Sequence, residues 1–355
     1  VLVRTGARNR ALSGDQIQQV AVVRSTGDYE AQPVPGATRE DLDEEYLKEF
    51  VGVWQERQQR QLTRPIDDLL REMGWILPSG QPTVAGILLF GKSPTTFIPR
   101  CGVTFVRFNF AKDKRQRERG EGGYGRRVEV NGPLAQIIER TFDILKEEIH
   151  LGAVVQSLER KEQWIYPPTA IREALVNAVA HRDYRLSGRG IEVRMYTNHL
   201  EISSPGGLPG YITLDNIVDE HFSRNPRIVS GLFQWGYIEE LGMGVDLMFE
   251  ELVSRGHPPP KFNASEALFT VTFQSAQKRG TPLPESAVNL TMNERQAKAL
   301  NFLQQSERIR NRDYQELCPD VSAETLRLDL ADLVERGVLL KIGRKRGTYY
   351  ILKSR

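Results

Sequence analysis

Residues 172–184, Arg-Glu-Ala-Leu-Val-Asn-Ala-Val-Ala-His-Arg-Asp-Tyr, are the most informative stretch of the chain. The run of Ala, Leu and Val predicts a helix in which Glu173 and Asn177 stand four residues apart. At that spacing both side chains project from one face, one turn apart. An amide oxygen can ligate Mg²⁺, which prefers hard oxygen ligands, and a carboxylate can take a proton from an attacking water. The stretch therefore predicts a helix that presents Asn177 as a candidate metal ligand beside Glu173 as a candidate general base.

Two glycine clusters follow this helix. They are Ser204-Pro205-Gly206-Gly207-Leu208-Pro209 and Gly242-Met243-Gly244. A helical Glu–Asn pair followed by two glycine turns has the order of a Bergerat-type ATP site. Each feature alone is weak, because a Glu-x-x-x-Asn pair arises by chance and glycine clusters are usually simple turns. The ordered combination, rather than any single motif, indicates the nucleotide site.

The composition narrows the class of protein. The chain has 355 residues, of which 39% are hydrophobic and 26% are charged, and this predicts two or three domains with buried cores. The formal net charge is only +2, so any binding of nucleic acid must be local. Cys101 and Cys318 form neither a disulfide framework nor a metal motif, which is typical of a cytoplasmic protein. No apolar run reaches the length of a transmembrane helix, so we expect no membrane partner.

Linker and turn signals divide the chain into five regions. They predict the tail of a preceding domain with a linker over residues 1–37, an α+β region over 38–168, a nucleotide-site core over 169–275, a linker over 276–289 and a separate small unit over 290–355. Because residues Val1–Arg4 already have the pattern of a strand, we expect the chain to be a fragment that lacks its natural N-terminal part. Within the second region, Thr38 is predicted to cap an acidic helix over residues 40–61, and Thr83–Phe90 is predicted to form an apolar strand.

One stretch matches a nucleotide-binding motif by chance. Residues 86–93, Gly-Ile-Leu-Leu-Phe-Gly-Lys-Ser, match the P-loop pattern G-x-x-x-x-G-K-[ST]. A P-loop needs small or polar residues whose amides curl around phosphate, whereas the four intervening residues here are large and apolar. It also needs a helix that begins at the Lys, and Pro94 restrains Ser93 from the helical region. We therefore expect Lys92 to lie at the end of a buried strand.

The last region predicts three helices followed by a hairpin with a basic tip, which is the pattern of a winged helix. Thr325 and Arg327 lie near the exposed start of the third helix, which would enter the major groove of DNA. Arg344, Lys345 and Arg346 form the hairpin tip and would lie along phosphates. The alternative is a winged helix that contacts protein instead of DNA.

Several stretches together resemble one family, the RecG-related predicted transcriptional regulators. They are residues 82–92, 172–184 and 201–209, Arg224-Asn225-Pro226, and residues 238–244. In that family a Schlafen AlbA-like domain precedes a divergent GHKL (histidine-kinase-like) ATPase domain, often followed by a winged helix. The resemblance covers most of residues 1–275 and implies an α+β fold: a GHKL or Bergerat-like α/β sandwich after a small α+β region, with a C-terminal winged-helix domain. It also implies that residues 1–37 hold the end of the AlbA-like domain.

The resemblance also implies roles for individual residues, with ATP and Mg²⁺ as cofactors. Gly206 and Gly207 would approach the nucleotide base. Gly242 and Gly244 would form the phosphate turn, with the N-terminus of the following helix facing the anion. GHKL sites read adenine through an Asp in an Asp-x-Gly turn, whereas this chain has Ser204 at that place and offers only an uncharged hydroxyl.

Three functions remain open from the sequence. The leading interpretation is a DNA-binding transcriptional regulator, in which the GHKL-like domain senses a nucleotide or a partner and the winged helix binds duplex DNA. The alternatives are a Mg²⁺-dependent ATPase that acts in DNA repair or phage defence, and a dimerisation scaffold with an inactive ATP site. In each case we expect a homodimer or a higher homo-oligomer.

Overall fold

The structure, a computed structural model, describes most of the chain. The described residues are 2–5, 8–11, 14, 28–109, 124–156, 159–208, 212–214, 216–217, 222–238, 244–255, 257–275, 293–306, 308–342 and 348–352. They form two compact units, each assembled from separate stretches. The first unit contains Val1–His150, Ile171–Gly244 and Phe262–Thr272, and the second contains Leu151–Ala170, Val245–Lys261 and Phe273–Arg355.

Eleven α-helices lie within the described residues. In chain order they are α1 Glu44–Gln58, α2 Ile66–Glu72, α3 Val84–Phe90, α4 Pro94–Phe97, α5 Leu134–Ile149, α6 Pro168–Ala180, α7 Pro226–Gln234, α8 Gly244–Ser254, α9 Glu294–Gln305, α10 Asn311–Leu317 and α11 Ala323–Glu335. Two short 3₁₀-helices, Tyr29–Ala31 and Arg39–Asp41, precede α1.

The strands of the described residues form one large sheet and three hairpins. They are β1 Leu2–Thr5, β2 Arg8–Ala11, β3 Val103–Phe108, β4 Tyr124–Val130, β5 His150–Gln156, β6 Glu159–Trp164, β7 Ile191–Met195, β8 His199–Pro205, β9 Lys261–Ala264, β10 Leu268–Gln274, β11 Leu339–Ile342 and β12 Tyr349–Leu352. The six-stranded sheet has the order β4-β3-β7-β8-β10-β9. Strand β3 pairs with β7 in parallel, with Val103 opposite Ile191, whereas β7 and β8 form an antiparallel hairpin. The chain is therefore α+β with a mixed sheet.

The segment Val84–Phe90 is a helix, so its prediction as a strand was wrong. Thr83 caps this helix, because its side-chain oxygen accepts the N–H of Gly86 at 3.2 Å. All seven residues of α3 are buried, so the segment has no polar face from which a helical period could be recognised. The helix also excludes a P-loop, because the first five residues of the P-loop pattern lie in a helix rather than in a phosphate-binding loop.

Aromatic side chains fill the core around α3 in the first unit. Phe90 lies 5.0 Å from both Phe50 and Trp75 between ring centroids, and Phe50 lies 5.4 Å from Trp235. These rings come from α1, α3, the turn after α2 and the end of α7. The cluster therefore holds α7, which precedes the second glycine turn, against the helices of residues 44–90.

The acidic helix begins later than predicted. Thr38 and Asp41 form a capping box on the 3₁₀-helix Arg39–Asp41, and α1 begins only at Glu44. Asp43 caps α1 by accepting the N–H groups of Glu45 and Tyr46, both at 3.1 Å. The helix predicted around Glu173 and Asn177 is confirmed as α6.

The second unit contains α9, α10, α11 and the hairpin β11–β12. Their apolar residues form one buried cluster: Ala299, Leu300, Leu303, Ile309, Tyr314, Cys318, Leu326, Leu330, Leu333, Val338, Leu339 and Tyr350. Ser322 caps α11 by accepting the N–H of Thr325 at 3.1 Å. The predicted basic hairpin tip lies outside the described residues.

None of the helices in the described part of the chain combines the length and the apolar character that crossing a membrane requires.

Candidate functional site

Helix α6 presents a polar pair from an otherwise buried surface. From Ile171 to Ala180, every residue is buried except Arg172, Glu173 and Asn177. The amide nitrogen of Asn177 donates to the carboxylate of Glu173 at 3.0 Å, which confirms that the two side chains share one face. This hydrogen bond turns the amide oxygen of Asn177 away from Glu173. The arrangement can offer that oxygen to a cation while the carboxylate stands one helical turn away.

Gly244 is the last residue of the second glycine cluster, here called the second glycine turn, and the first residue of α8. It lies against the side chain of Glu173. A methyl group at Gly244 would overlap the carboxylate of Glu173 and would lie 2.6 Å from its Cδ atom. Only glycine therefore fits at this position while Glu173 keeps its present rotamer. Glu173, Asn177 and Gly244 thus lie together, whereas Gly242 lies outside the described residues.

Ser204 faces the helix rather than an open pocket. Its hydroxyl donates to the carbonyl oxygen of Ala178 at 2.7 Å, and the residue is 6% exposed. The next residues turn sharply, because Gly206 has a φ of +102° and its N–H donates to Ala267 at 2.8 Å. The N–H of Gly207 donates to Glu266 at 3.0 Å. This first glycine turn is therefore fixed by its own backbone.

Arg224 covers the first glycine turn. A methyl group at Gly206 would overlap Nη1 of Arg224, and Nη2 of Arg224 donates to the carbonyl oxygen of Gly207 at 2.7 Å. Nη1 lies 3.5 Å from the carboxylate of Asp183. Burial lowers the pKa of Arg224, although the charge of Asp183 opposes this shift. The guanidinium therefore occupies the place where the resemblance puts the nucleotide base.

Asp183 anchors this cluster and was not among the predicted site residues. Arg185 holds its carboxylate at two points, 2.9 Å from Nε to Oδ1 and 2.7 Å from Nη2 to Oδ2. Burial alone would raise the pKa of Asp183, but the hydrogen bonds from Arg185 and the charge of Arg224 hold it below its ordinary value. The alternation of acid and base in the stretch Arg182-Asp183-Tyr184-Arg185 was the available signal for this cluster.

Asn225 joins the start of α7 to the end of α6. Its amide nitrogen donates to the carbonyl oxygens of Ala180 at 2.9 Å and Arg182 at 2.8 Å, and the residue is 4% exposed. It satisfies carbonyl groups that a helix leaves unpaired at its C-terminus. The stretch Arg224-Asn225-Pro226 was noticed in the sequence, but its contacts with residues far away along the chain were not predictable from it.

The residues fit a Mg²⁺–phosphate group better than they fit a base. Asn177 supplies a hard oxygen, and Gly244 begins a helix of eleven residues, whose N-terminus favours an anion. No three acidic, His or Cys side chains of the described residues are grouped to hold a metal ion alone, so phosphate oxygens and water would complete the shell. Where the nucleotide base would bind, the hydroxyl of Ser204 already donates to α6, and Arg224 covers the first glycine turn.

The predicted DNA-contacting residues have distinct environments. The hydroxyl of Thr325 lies 2.8 Å from the hydroxyl of Ser322, within the cap of α11. Arg327 is exposed, but it donates to the carboxylate of Glu324 at 2.9 Å and 2.6 Å. Arg344, Lys345 and Arg346 lie outside the described residues.

Comparison with known proteins agrees with this architecture. Residues 188–273 match a family model described as "Putative ATP-dependent DNA helicase recG C-terminal". This match contains both glycine turns and Arg224 but begins after α6. The crystal structure of the DIP2311 protein from Corynebacterium diphtheriae matches with a TM-score of 0.59 and 22% sequence identity, over 99% of this chain and 69% of that one. At this identity the likeness shows the fold alone. No curated protein matches the chain.

Residues 188–273 are therefore similar to the domain that this family model describes.

Proposed function

We propose that this chain is a DNA-binding transcriptional regulator whose GHKL-like domain binds a nucleotide with Mg²⁺. The contact that carries the proposal is the one among Glu173, Asn177 and Gly244, because it unites the helical pair with the phosphate turn. The RecG C-terminal-like match over residues 188–273 supports the same kind of ligand. In this proposal Asn177 holds the cation and the N-terminus of α8 faces the phosphates. Bound Mg²⁺ would neutralise phosphate charge.

Two further parts of the proposal concern DNA and assembly. Residues 290–355 would act as a winged helix, supported by the three capped helices, the hairpin and their common apolar cluster. Residues 1–37 would be the end of an AlbA-like domain, supported by the short hairpin β1–β2. A homodimer or higher homo-oligomer is the expected assembly.

A dimerisation scaffold is the second candidate, because one observation favours it. The guanidinium of Arg224 covers the first glycine turn, and Ser204 replaces the Asp that reads adenine. An ATPase, the third candidate, would use Glu173 to accept a proton from water. The hydrogen bond between Glu173 and Asn177 is compatible with both an ATPase and a sensor, so it does not separate these two candidates.

Calorimetry with ATP and Mg²⁺ separates the three candidates. Asn177→Ala should abolish Mg²⁺-dependent binding, because the cation loses its protein oxygen. Glu173→Ala should retain binding and stop any turnover, because only the base is lost. A sensor shows the first effect with no turnover to lose. The remaining outcome is that ATP binds, with a dissociation constant of about 1 mM or better, neither to the wild type nor to a variant in which Arg224 no longer covers the first glycine turn. In that case the scaffold is the function.

A further inference from the structure

We infer that Arg224 is a reversible plug of the first glycine turn, so that a nucleotide binds only after the guanidinium has left the turn. The inference rests on the proposed nucleotide-binding function and states how that same site is regulated. It makes the described conformation the closed state of the site.

The geometry shows how completely the turn is filled. Nη1 of Arg224 takes the space that a Cβ atom at Gly206 would need, and Cβ of Asp183 would lie only 2.7 Å from that atom. A methyl group at Gly207 would lie 2.5 Å from the carbonyl oxygen of Ser265. The backbone is therefore closely packed at both glycines, and a base that approached Gly206 would collide with Arg224.

The plug is held by few hydrogen bonds. Nε and Nη1 of Arg224 are buried without a hydrogen-bond partner among the described residues, while Nη2 donates to Gly207. Buried donors without acceptors oppose the closed state, because they would regain hydrogen bonds in water. Departure of Arg224 leaves Asp183 paired, since Arg185 already binds both of its oxygens. Opening of the turn therefore costs the hydrogen bond to Gly207 and the contact with Asp183, but it leaves the Asp183 carboxylate paired.

The charge of Arg224 determines the direction in which its loss should change nucleotide affinity. A nucleotide is an anion, so the loss of a nearby arginine should weaken its binding if the arginine contacts the nucleotide. If the arginine blocks the site, its loss should tighten binding, because the fraction of open molecules limits the apparent affinity. The two roles of Arg224 therefore predict opposite results.

The experiment measures binding of ATP with Mg²⁺ by calorimetry to the wild-type chain, Arg224→Ala and Arg227→Ala. Arg227 is the matched control, because it lies three residues away and pairs with Asp28 outside the turn. It removes the same charge and leaves the turn covered. Arg224→Ala should lower the dissociation constant at least about tenfold, and Arg227→Ala should leave it within about threefold of the wild type.

Chemical rescue distinguishes a plug from a general loosening of the fold. Methylguanidinium at millimolar concentrations should refill the space in Arg224→Ala and restore the weak nucleotide affinity. It should have no effect on the wild type, whose turn is already occupied. If Arg224→Ala does not fold, Arg224→Lys replaces it. A single ammonium cannot serve both Gly207 and Asp183, so this variant should bind with an affinity between those of the wild type and an open site.

Each outcome decides the matter. Tighter binding by Arg224→Ala that methylguanidinium reverses supports the plug. Equal or weaker binding by both Arg224 variants, with measurable binding by the wild type, overturns the plug and leaves the nucleotide function intact. Absence of binding in every variant overturns the nucleotide function and, with it, the plug.

Discussion

The carboxylate of Glu30 accepts the backbone N–H of Ile228 at 2.9 Å, although the two residues lie 198 positions apart. Its other oxygen accepts the N–H of Arg227 at 2.6 Å, and Glu30 is only 1% exposed. A side chain from the segment before α1 thereby caps the N-terminus of α7. Because Arg224 and Asn225 immediately precede α7, this cap also fixes the part of the chain that covers the first glycine turn.

Glu30 should make the stability of the first unit depend on pH. Burial raises its pKa to about 7, although the two backbone hydrogen bonds oppose the shift. Because this lies above the ordinary value of 4.5, its contribution to stability is complete below about pH 4.5 and is lost as the pH rises through about 7. The loss amounts to at most about 3 kcal/mol. Urea unfolding followed by tryptophan fluorescence should detect it, because Trp54, Trp75 and Trp235 lie in this unit.

The variant Glu30→Gln should remove this dependence, since an amide does not titrate. Its free energy of unfolding should be nearly constant between about pH 4.5 and pH 7, the window in which the wild type loses stability. Asp28→Asn is the control, because Asp28 is an exposed partner of Arg227 and contacts the same helix start. If Glu30→Gln and the wild type show the same pH profile, Glu30 is not the group responsible.

Local patterns predicted the elements whose two faces differ. Helix α11, the third helix predicted in residues 290–355, carries Leu326, Leu330 and Leu333 on its inner face. Helix α3 could not be recognised in this way, because burial on all sides removes the helical period. The parallel pairing of β3 with β7 was also beyond the sequence, since it joins strands separated by α5 and α6.

Arg182 should contribute more to stability than any surface ion pair of the first unit. Its guanidinium donates to the carbonyl oxygens of Arg100, Leu186 and Arg189, and the residue is fully buried. Arg182→Lys replaces a planar fork with a single ammonium, which cannot satisfy three separate carbonyl groups. We expect a loss of about 2–4 kcal/mol in the free energy of unfolding.

The control for this change is Arg189→Lys. The Arg189 side chain is 42% exposed and pairs with Glu192 at 3.2 Å, so the substitution should cost less than about 1 kcal/mol. Similar losses for the two variants in urea unfolding would show that the three carbonyl contacts of Arg182 do not stabilise the unit.

Lys92→Ala should leave nucleotide affinity unchanged. The ammonium of Lys92 donates to the carbonyl oxygen of Glu40 at 2.6 Å, and its backbone N–H donates to Asp41 at 2.9 Å. These contacts give Lys92 a structural partner at the end of α3. Calorimetry on the folded variant should therefore match the wild type, with Asn177→Ala as the variant that loses binding. A loss of about tenfold or more in Lys92→Ala would restore the P-loop interpretation.

The candidate site was predictable only where its residues lie on one element. Glu173 and Asn177 follow from helical spacing, and the glycine turns follow from composition. The position of Arg224 depends on contacts with Gly206 and Gly207 that form only in the folded chain. The local patterns therefore indicated Glu173, Asn177 and the glycine turns, but they gave no signal for the arginine that covers the first glycine turn.

The proposed DNA surface of α11 should respond to the charge of Glu324. Nε and Nη2 of Arg327 donate to the carboxylate of Glu324, so this arginine is already paired. The same carboxylate also repels the phosphates of DNA. Glu324→Gln should therefore strengthen binding of the full chain to duplex DNA by about threefold or more at low salt, and Arg327→Ala should weaken it. Glu335→Gln is the matched control, because it removes an equal charge at the far end of the same helix.

The hairpin tip supplies the companion test for the same surface. Joint neutralisation of Arg344, Lys345 and Arg346 should weaken binding and reduce the slope of log affinity against log salt by about three at most, since each phosphate contact releases about one counterion. Titration of a fluorescent duplex at several salt concentrations measures both quantities. An unchanged slope, together with equal effects of Glu324→Gln and Glu335→Gln, would remove both α11 and the hairpin tip from the DNA surface. The proposed winged helix would then serve contact with protein instead of DNA.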